Sequence, residues 1–377
     1  MNIVFITSIG YPIQLSANAI KTELVALGLK DAGCKVNIID YPRGTLGVNE
    51  ITEGISDNGL KYTLLPQQGM IKCLFSNIKV IKKILTDNKE EKDNIAIIGV
   101  TYYHMFIALN ILCCLLGYKR VSLFHEWTQS FSGMSLLKKI EAFFNDNTFG
   151  YFLNGIFPIS HFLEKKAKKF GKPTYMLPIL STYKRIVNTL SEKKHFTYCA
   201  SIPYLIRNQI LLQAFSIVHN KYPDIYLKLI LNGNEADFKK IDELLVKYDL
   251  IDVTKIKTRI PQNDLYEIYD TSIGLIIPLD PQSIQDESRF SQKIAEYIES
   301  KRPIITSNVG EIPYYFKHNE SAMIADYTAE SYAECMIELI ENPQKADAIG
   351  INGYNVGNTH FNNAKHGIKI KEFLKIL

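Results

Sequence analysis

The sequence predicts an α/β protein made of two doubly wound domains, each with a parallel sheet between helices. Short Ile/Val-rich runs alternate with longer helical patterns almost from end to end, which is typical of parallel strands joined by helical crossovers. The chain has 377 residues, more than the roughly 250 to 300 at which one core stops growing. A polar, proline-bearing stretch, LPILSTYKRIVNTLSEKK (177–194), interrupts the alternation and is the best linker candidate.

The strands can be placed from their apolar runs. In the first half we predict strands at 3–7, 35–39, 95–99, 121–124 and 155–159. In the second half we predict strands at 195–200, 226–231, 253–257, 273–277 and 304–306. A helix over 17–32, with Gly33 as its stop signal, joins the first two strands. The predicted divisions are a first domain at 1–180, a linker at 181–193, a second domain at 194–357, and a C-terminal helix at 358–377 that packs back on the first domain.

Composition and charge point to an ordinary globular protein rather than a disordered one, with 46% hydrophobic residues, 22% charged residues and a net charge of +4. The six cysteines show neither C-x-x-C pairs nor zinc spacing, which fits reduced thiols in a cytoplasm. The start, MNIVFITSIG, reads as a strand and not as a signal peptide. The longest apolar run, 105–116, is too short to span a bilayer. We therefore expect a cytoplasmic protein.

One stretch, SRFSQKIAEYIESKRPIITSN (288–308), carries the clearest chemical signal. Its helix follows a predicted strand, so it starts at the sheet edge where ligands bind in open α/β folds. Ser291 is a plausible cap, and Lys293 in the first turn opposes the helix dipole unless an anion binds there. Glu296 lies one turn further on and could accept hydrogen bonds from a ribose. The alternative is a surface Lys/Glu pair worth a few tenths of a kcal/mol, and spacing alone favours that alternative.

The same residues carry a resemblance. SRFSQKIAEYIESKRPIITSNVGEIP is similar to the donor-site signature of glycosyltransferase family 4, which has the GT-B fold. FTYCASIPYLIRNQILLQAF (196–215) and PQNDLYEIYDTSIGLIIPL (261–279) resemble other segments of that family's second domain. The matching positions of the signature are Phe290, Lys293, Glu296, Tyr297, Pro303, Ile304, Gly310 and Glu311.

The resemblance implies two Rossmann-like doubly wound domains facing across a cleft. It implies a retaining transfer of a sugar from a nucleotide-diphosphate donor to a hydroxyl of a glycan or lipid-linked glycan, with no cofactor and no metal. The Asn/Lys/Ile/Tyr-rich composition is typical of an AT-rich bacterial genome, which suggests surface polysaccharide assembly such as capsule or lipopolysaccharide.

The resemblance also implies roles for particular residues. The catalytic candidates are His125, Arg207 and Lys293. The candidates for donor binding are Glu296, Ser291, Gln292, Ser288, Gly310, Glu311, Ser201 and Gly10. His125 follows a strand and opens the loop HEWTQSFSG, so a strand-end histidine that caps a carbonyl is the alternative.

Three positions depart from the family pattern. Ser201 stands where the family has an arginine, Ser288 where it has the first glutamate of E-x7-E, and Ser16-Ala17 where it has Gly-Gly. These departures keep a noncatalytic nucleotide-sugar-binding or scaffold subunit open as an alternative. A nucleotide-sugar epimerase of the same fold ranks third.

A basic segment, HFLEKKAKKFGK (161–172), supplies one further hypothesis. Its apolar stripe would leave Lys165, Lys166, Lys168 and Lys169 on the exposed side, where they could contact anionic lipid headgroups. A plain solvated face is the alternative. We expect contact with the inner face of the plasma membrane, if any, to be peripheral, and we expect no nucleic-acid partner.

Overall fold

The computed structural model describes residues 1–13, 16–42, 48–67, 69, 73–99, 103–131, 133–187 and 193–377. The described chain divides into two compact units. The first unit contains Met1–Thr182, Ser288–Phe290 and Asn362–Leu377, and the second contains Tyr183–Glu287 and Ser291–Phe361. Each unit has a parallel sheet, which confirms the predicted α/β class. Positions 188–192 of the predicted linker lie outside the described residues.

The first unit is built on a mostly parallel sheet. Its strands are β1 (Asn2–Thr7), β2 (Lys35–Asp40), β3 (Thr52–Ile55), β4 (Lys61–Leu64), β5 (Asn94–Ile98), β6 (Lys119–Phe124) and β7 (Gly155–Pro158). In the described part of the chain these seven strands follow the order β3-β4-β2-β1-β5-β6-β7, and of their pairings β3–β4 is antiparallel. The five strands predicted in this half all form, and β3 and β4 are additional.

Helices connect most of these strands along the chain. They are α1 (Ala17–Asp31), α2 (Ile78–Asp87), α3 (Tyr103–Leu115), α4 (Leu136–Thr148), α5 (His161–Ala167) and the C-terminal helix (Asn363–Lys375). Every residue of β1 and β5 is buried, as expected for central strands of a parallel sheet. The predicted apolar run 105–116 falls largely in α3, whose buried side chains belong to the core and include Phe106 and Leu109.

The C-terminal helix packs closely against α1. A Cβ atom added at Gly367 would lie 1.9 Å from the carbonyl oxygen of Gly28, and one added at Gly28 would lie 2.3 Å from the carbonyl oxygen of Asn363. Because no side chain fits between these backbones, glycine at both positions sets the distance between the two helices.

The second unit has a fully parallel sheet. Its strands are β8 (His195–Ser201), β9 (Tyr226–Asn232), β10 (Thr254–Lys257), β11 (Gly274–Ile277), β12 (Ile304–Ser307) and β13 (Met323–Ala325). Among the described residues these six strands follow the order β10-β9-β8-β11-β12-β13, and all the pairings are parallel. The five strands predicted in this half all form, and β13 is additional.

The arrangement of the second sheet decides where its loops meet. Its helices are α6 (Ile202–Arg207), α7 (Ile210–Lys221), α8 (Glu235–Lys247), α9 (Gln262–Asp270), α10 (Ile284–Ser288), α11 (Gln292–Glu299), α12 (Ile312–Tyr315), α13 (Ala329–Glu341) and α14 (Pro343–His360). Since β8, β11 and β12 are neighbours with the same direction, the loops after them lie side by side at one sheet edge. In the described part of the chain, no helix is long and apolar enough to cross a membrane.

Candidate functional site

The Lys/Glu pair of the second unit lies on α11, which begins at Gln292. The ammonium nitrogen of Lys293 lies 2.6 Å from a carboxylate oxygen of Glu296. The Lys293 side chain is 30% exposed, whereas that of Glu296 is 7% exposed. This pair is therefore not the ordinary solvated surface pair that the spacing alone favours.

The charge state of the pair follows from its surroundings. Burial disfavours the charged lysine, but the negative charge of Glu296 and the hydrogen bond to it outweigh burial and raise the pKa of Lys293. A comparison pair at the same spacing in the same unit, Lys317 and Glu320, is 3.7 Å apart and exposed. Lys293 is thus a cation held in place at the start of a helix.

A tyrosine ties α11 to the end of β8. The backbone N–H of Cys199 donates to the Tyr297 hydroxyl at 2.9 Å, and the Tyr297 ring meets Tyr269 edge to face, with centroids 5.0 Å apart. Tyr297 is fully buried. The first turns of α11 are therefore fixed close to the carboxyl end of the neighbouring strand, two residues before Ser201.

Arg207 ends α6, the short helix that follows β8. Its two terminal nitrogens lie 3.5 and 3.4 Å from the side-chain oxygen of Gln285, and its guanidinium lies 4.9 Å from the Tyr204 ring centroid. These are long contacts, and Gln285 lies on α10, in the segment that leads from β11 to α11. Arg207 and Lys293 therefore border the same stretch of chain, 278–291.

Gly310 and Glu311 lie in the loop after β12. Gly310 has a φ of +59°, its N–H donates to a carboxylate oxygen of Glu287 at 3.2 Å, and an added Cβ would lie 2.9 Å from the carbonyl oxygen of Asp286. Glycine is required here for both the backbone conformation and the close approach. Glu311 is buried beside it.

The serine candidates for donor binding and the neighbouring Gln292 lie at different places in the fold. Ser201 is the last residue of β8 and immediately precedes α6, at the sheet edge of the second unit. Ser291 occupies the N-cap position of α11, but its side chain makes no capping hydrogen bond, and Gln292 is the buried first residue of that helix. Ser288, the last residue of α10, is buried and is the one residue of that helix that belongs to the first unit, where its carbonyl accepts a hydrogen bond from the Ser160 hydroxyl.

The first unit contains a cavity of about 460 Å³ at the carboxyl ends of β1, β5 and β6. Residues that follow these strands line the cavity, together with one face of α1 and one face of α4. The lining includes Thr7, Ser8, Asn18, Thr22, Gly99, His125, Glu126, Lys138, Glu141, Asn145, Asp146, Phe131 and Phe149. Amide, hydroxyl and carboxylate groups beside aromatic rings make a surface suited to a hydroxyl-rich ligand.

His125 lines this cavity at the end of β6. Its Nε2 atom is buried and finds no hydrogen-bond partner among the described residues, so the carbonyl-capping alternative lacks support at this nitrogen. Burial, and after it the charge of Lys21, lowers the pKa of His125 from 6.5 to about 3. The imidazole is therefore neutral at physiological pH.

Lys21 is buried in α1 and was missed by sequence reasoning. Its ammonium donates to the carbonyl oxygen of Pro178 and, at 3.4 Å, to that of Leu177. Burial lowers the pKa of Lys21 well below its usual value. Nothing in the helical pattern of α1 distinguishes this lysine from an exposed one.

Asp40, at the carboxyl end of β2, organises the loop after β1 and was also missed. Its carboxylate accepts hydrogen bonds from the Thr7 hydroxyl at 2.6 Å and from the N–H groups of Ile9 and Gly10 at 2.9 Å each. Burial raises the pKa of Asp40, and these hydrogen bonds oppose the rise. Gly10, with a φ of +80°, is thus held by Asp40. The available signal was the acid that ends the strand sequence NIID.

Asp146 holds the loop that follows His125 against α4. It accepts a hydrogen bond from the backbone N–H of Gln129 at 2.8 Å, and burial raises its pKa against such hydrogen bonds. Glu141, one turn earlier on α4, accepts from the backbone N–H of Tyr103 at 3.0 Å. The cavity wall is therefore fixed by carboxylates that point inward.

The basic segment lies on α5 and the turn after it. Lys166 sits 4.3 Å from the Trp127 ring centroid, and Lys168 pairs with Glu164 at 2.9 Å. Lys165 and Lys169 are exposed. Within the described residues, no group of three or more His, Cys, Asp or Glu side chains could hold a metal ion. Metal independence remains a prediction.

The comparisons with known proteins agree with this architecture. Residues 182–356 match the family model described as glycosyl transferases group 1, and this range contains Ser201, Arg207, Lys293, Glu296 and Gly310. No curated protein sequence matches the chain.

Similar solved structures span the whole chain. Sucrose-phosphate synthase from Thermosynechococcus elongatus has a TM-score of 0.78 at 13% identity, with 100% of this chain and 98% of that chain covered. HepE from Anabaena, in complex with UDP and glucose, has a TM-score of 0.75 at 12% identity, with 100% of both chains covered. The pneumococcal O-GlcNAc transferase GtfA, in complex with UDP and GlcNAc, has a TM-score of 0.71 at 9% identity, with 99% and 98% covered.

At identities this low, structural similarity establishes the fold alone. That fold is GT-B, the two-domain class to which these glycosyltransferases belong. The predicted resemblance to GT-B glycosyltransferases is confirmed. Its assignment to family 4 in particular, and the roles of the individual residues, stay predictions.

Proposed function

We propose that the protein is a retaining, metal-independent glycosyltransferase that moves a sugar from a nucleotide-diphosphate donor to an acceptor hydroxyl. The observation that carries the proposal is the ion pair on α11. Lys293 is a fixed cation at a helix start, and Glu296 is a nearly buried carboxylate one turn further on. The pair lies in the segment that matches glycosyl transferases group 1.

The chemistry requires charge stabilisation at the leaving group. Glycosyl transfer passes through an oxocarbenium-like transition state in which the departing diphosphate gains negative charge. An ammonium group has three donors, so Lys293 can keep its hydrogen bond to Glu296 and still donate to a phosphate oxygen. Arg207, with its long contacts, offers a second cation, and both act as preorganised charges.

Glu296 is assigned to the ribose of the donor. Its carboxylate can accept hydrogen bonds from both hydroxyl groups, as acidic residues do in dinucleotide sites. Because Ser201 carries no charge where the family has an arginine, Lys293 supplies a larger share of the diphosphate stabilisation in this chain.

The acceptor is assigned to the cavity of the first unit. Burial moves the pKa of His125 downward and that of Asp146 upward, so both groups shift toward neutrality. A cavity of this kind favours an uncharged, hydroxyl-bearing ligand over a charged one. A glycan or a lipid-linked glycan, as used in surface polysaccharide assembly, has that chemistry.

Calorimetry with UDP, GDP, ADP and dTDP tests the donor assignment. Glu296→Ala should lower the affinity for the tightest-binding nucleotide by about ten-fold or more, since a charged hydrogen bond contributes roughly 1.5 to 3 kcal/mol. The matched control is Glu320→Ala, which removes the carboxylate of the exposed i, i+3 pair. Equal affinities in the two variants would remove the ribose assignment.

A noncatalytic binding subunit is the second candidate, and the serines at positions 201 and 288 favour it. The two candidates can be separated by incubating the protein with a panel of glycan acceptors and with sugar conjugates of the nucleotide that binds most tightly. Transfer with retained anomeric configuration, unaffected by EDTA, supports the enzyme. Tight nucleotide binding with neither donor hydrolysis nor transfer supports the subunit.

A further inference from the structure

Helix α4 exposes an apolar face to solvent. Five large apolar side chains on this helix are between 47% and 79% exposed, namely Leu136, Leu137, Ile140, Phe143 and Phe144. At 3.6 residues per turn they occupy an arc of about 120° on one side of the helix. A contiguous exposed patch of this kind marks an interaction surface rather than the scattered apolar residues of any protein surface.

The opposite face of α4 is the polar one. Asn145 and Asp146 are buried beneath the helix and line the cavity with Lys138 and Glu141. A surface helix normally turns its apolar stripe to the core and its polar face to water. Because α4 reverses this pattern, its apolar face is not explained by the core of the first unit.

Positive charge lies next to the apolar face. Lys139 is exposed on α4 itself, beside the apolar arc. The ring of Phe170, in the basic segment, lies 5.1 Å from both Phe149 and Tyr151, which directly follow α4. The exposed lysines 165 and 169 therefore belong to the same region of the first unit as the end of α4.

We propose that α4 docks the protein onto an anionic lipid bilayer. Its 13 residues span about 20 Å, which suits a helix lying in the headgroup region and not one crossing the membrane. Apolar side chains would enter the acyl boundary while the lysines contact the anionic headgroups, and this charge complementarity selects a membrane over an uncharged protein surface.

The position of α4 connects docking with the cavity. One face of the helix meets the bilayer and the other forms part of the cavity wall, so a lipid-borne acceptor reaches the cavity without leaving the membrane. This second step rests on the proposed function, whereas docking itself does not.

Vesicle co-sedimentation tests the apolar contact. Vesicles of phosphatidylglycerol mixed with phosphatidylcholine should bind the full chain, and the double variant Leu137→Gln, Phe144→Gln should bind at least about ten-fold more weakly, because each buried side chain contributes on the order of 1.5 kcal/mol or more. The matched control is Val246→Gln, Ile251→Gln, which removes two exposed apolar side chains of the second unit. This control should bind like the parent protein.

A second pair of variants tests the charges. Lys165→Gln, Lys169→Gln should weaken binding to these vesicles on the order of ten-fold, since each lysine near an anionic surface contributes about 1 kcal/mol. Lys239→Gln, Lys240→Gln, which removes two exposed lysines of α8, should not. Binding should also fall with added salt and on pure phosphatidylcholine.

Three outcomes overturn the proposal. The first is that the parent protein binds neither the mixed nor the pure phosphatidylcholine vesicles, and the second is that the α4 variant and its control bind vesicles equally. The third is that the parent protein does not bind vesicles but forms a concentration-dependent dimer, which the α4 variant abolishes. UDP affinity, measured on the same variants, separates this result from the proposed function. Loss of docking with unchanged UDP affinity leaves the proposed donor site intact.

Discussion

The two candidate sites treat ionisable groups in opposite ways. At the sheet edge of the second unit, Glu296 raises the pKa of Lys293 despite burial, so the lysine keeps its charge. In the cavity of the first unit, burial lowers the pKa of His125 and raises that of Asp146. The difference is that Lys293 has an opposite charge at contact distance, whereas in the cavity burial outweighs the other influences on His125 and Asp146.

This contrast fits a division between ligands. A fixed cation suits a diphosphate, whose charge must be stabilised as it leaves. A cavity in which His125 and Asp146 shift toward neutrality suits a ligand recognised through hydroxyl groups. Three variants test the contrast, in order of decreasing expected effect.

Removing the cation should have the largest effect. Lys293→Ala should lower turnover by about 10² to 10³-fold, the range for loss of one preorganised donor at a developing charge, and should change the affinity for the free nucleoside little. Steady-state kinetics measures the first effect and calorimetry the second. The control is Lys317→Ala, at the lysine of the exposed pair. A turnover within about two-fold of that control would contradict the cation's role.

In the first unit, neutralising a carboxylate should affect stability instead. Asp40→Asn replaces an oxygen acceptor by an amide group that faces the donors Thr7, Ile9 and Gly10. The free energy of unfolding should fall by roughly 1.5 to 3 kcal/mol, as expected for hydrogen bonds to a buried charge. Denaturant unfolding measures this loss, with exposed Asp57→Asn as the control. Equal stability of the two variants would show that Asp40 does not hold the loop after β1.

The smallest effect, when it is compared over a single pH unit, concerns the protonation of His125. The pKa of His125 is about 3 in the folded protein, against 6.5 for a free histidine, so protons bind preferentially to the unfolded chain between these values. Stability is therefore complete above pH 6.5 and is lost as the pH falls toward 3, by at most about 1.4 kcal/mol per pH unit. His125→Gln should flatten this decline in acid-unfolding curves. A curve as steep as that of the parent would place the imidazole in solvent.

Most of the fold was predictable because its signals are local. All ten predicted strands form, since each carries a continuous apolar run between turn signals. The strands that sequence reasoning missed are short. β3 and β4, TEGI and KYTL, mix polar and apolar residues at the sheet margin, and β13 has three residues, MIA. Such segments become strands through pairing with a neighbour, which no local pattern records.

The candidate site, too, was predictable only where its signals are local. The i, i+3 spacing of Lys293 and Glu296 placed them on one helix face, but spacing could not reveal that Glu296 is nearly buried. The contacts made by Asp40 and Lys21 join residues far apart in the chain. The apolar face of α4 is a further case, because the composition of the helix does not tell which side meets the core.

The sequence by itself determined the α/β class, the order of the predicted strands and the position of the helix that carries Lys293, because periodicity and spacing are properties of neighbouring residues. Tertiary structure alone decided which carboxylates are buried, that His125 is neutral beside a cavity, and that the apolar face of α4 points outward. Burial and electrostatic environment depend on chain segments that come together only in the folded protein, and those contacts set the pKa values and the exposed surface.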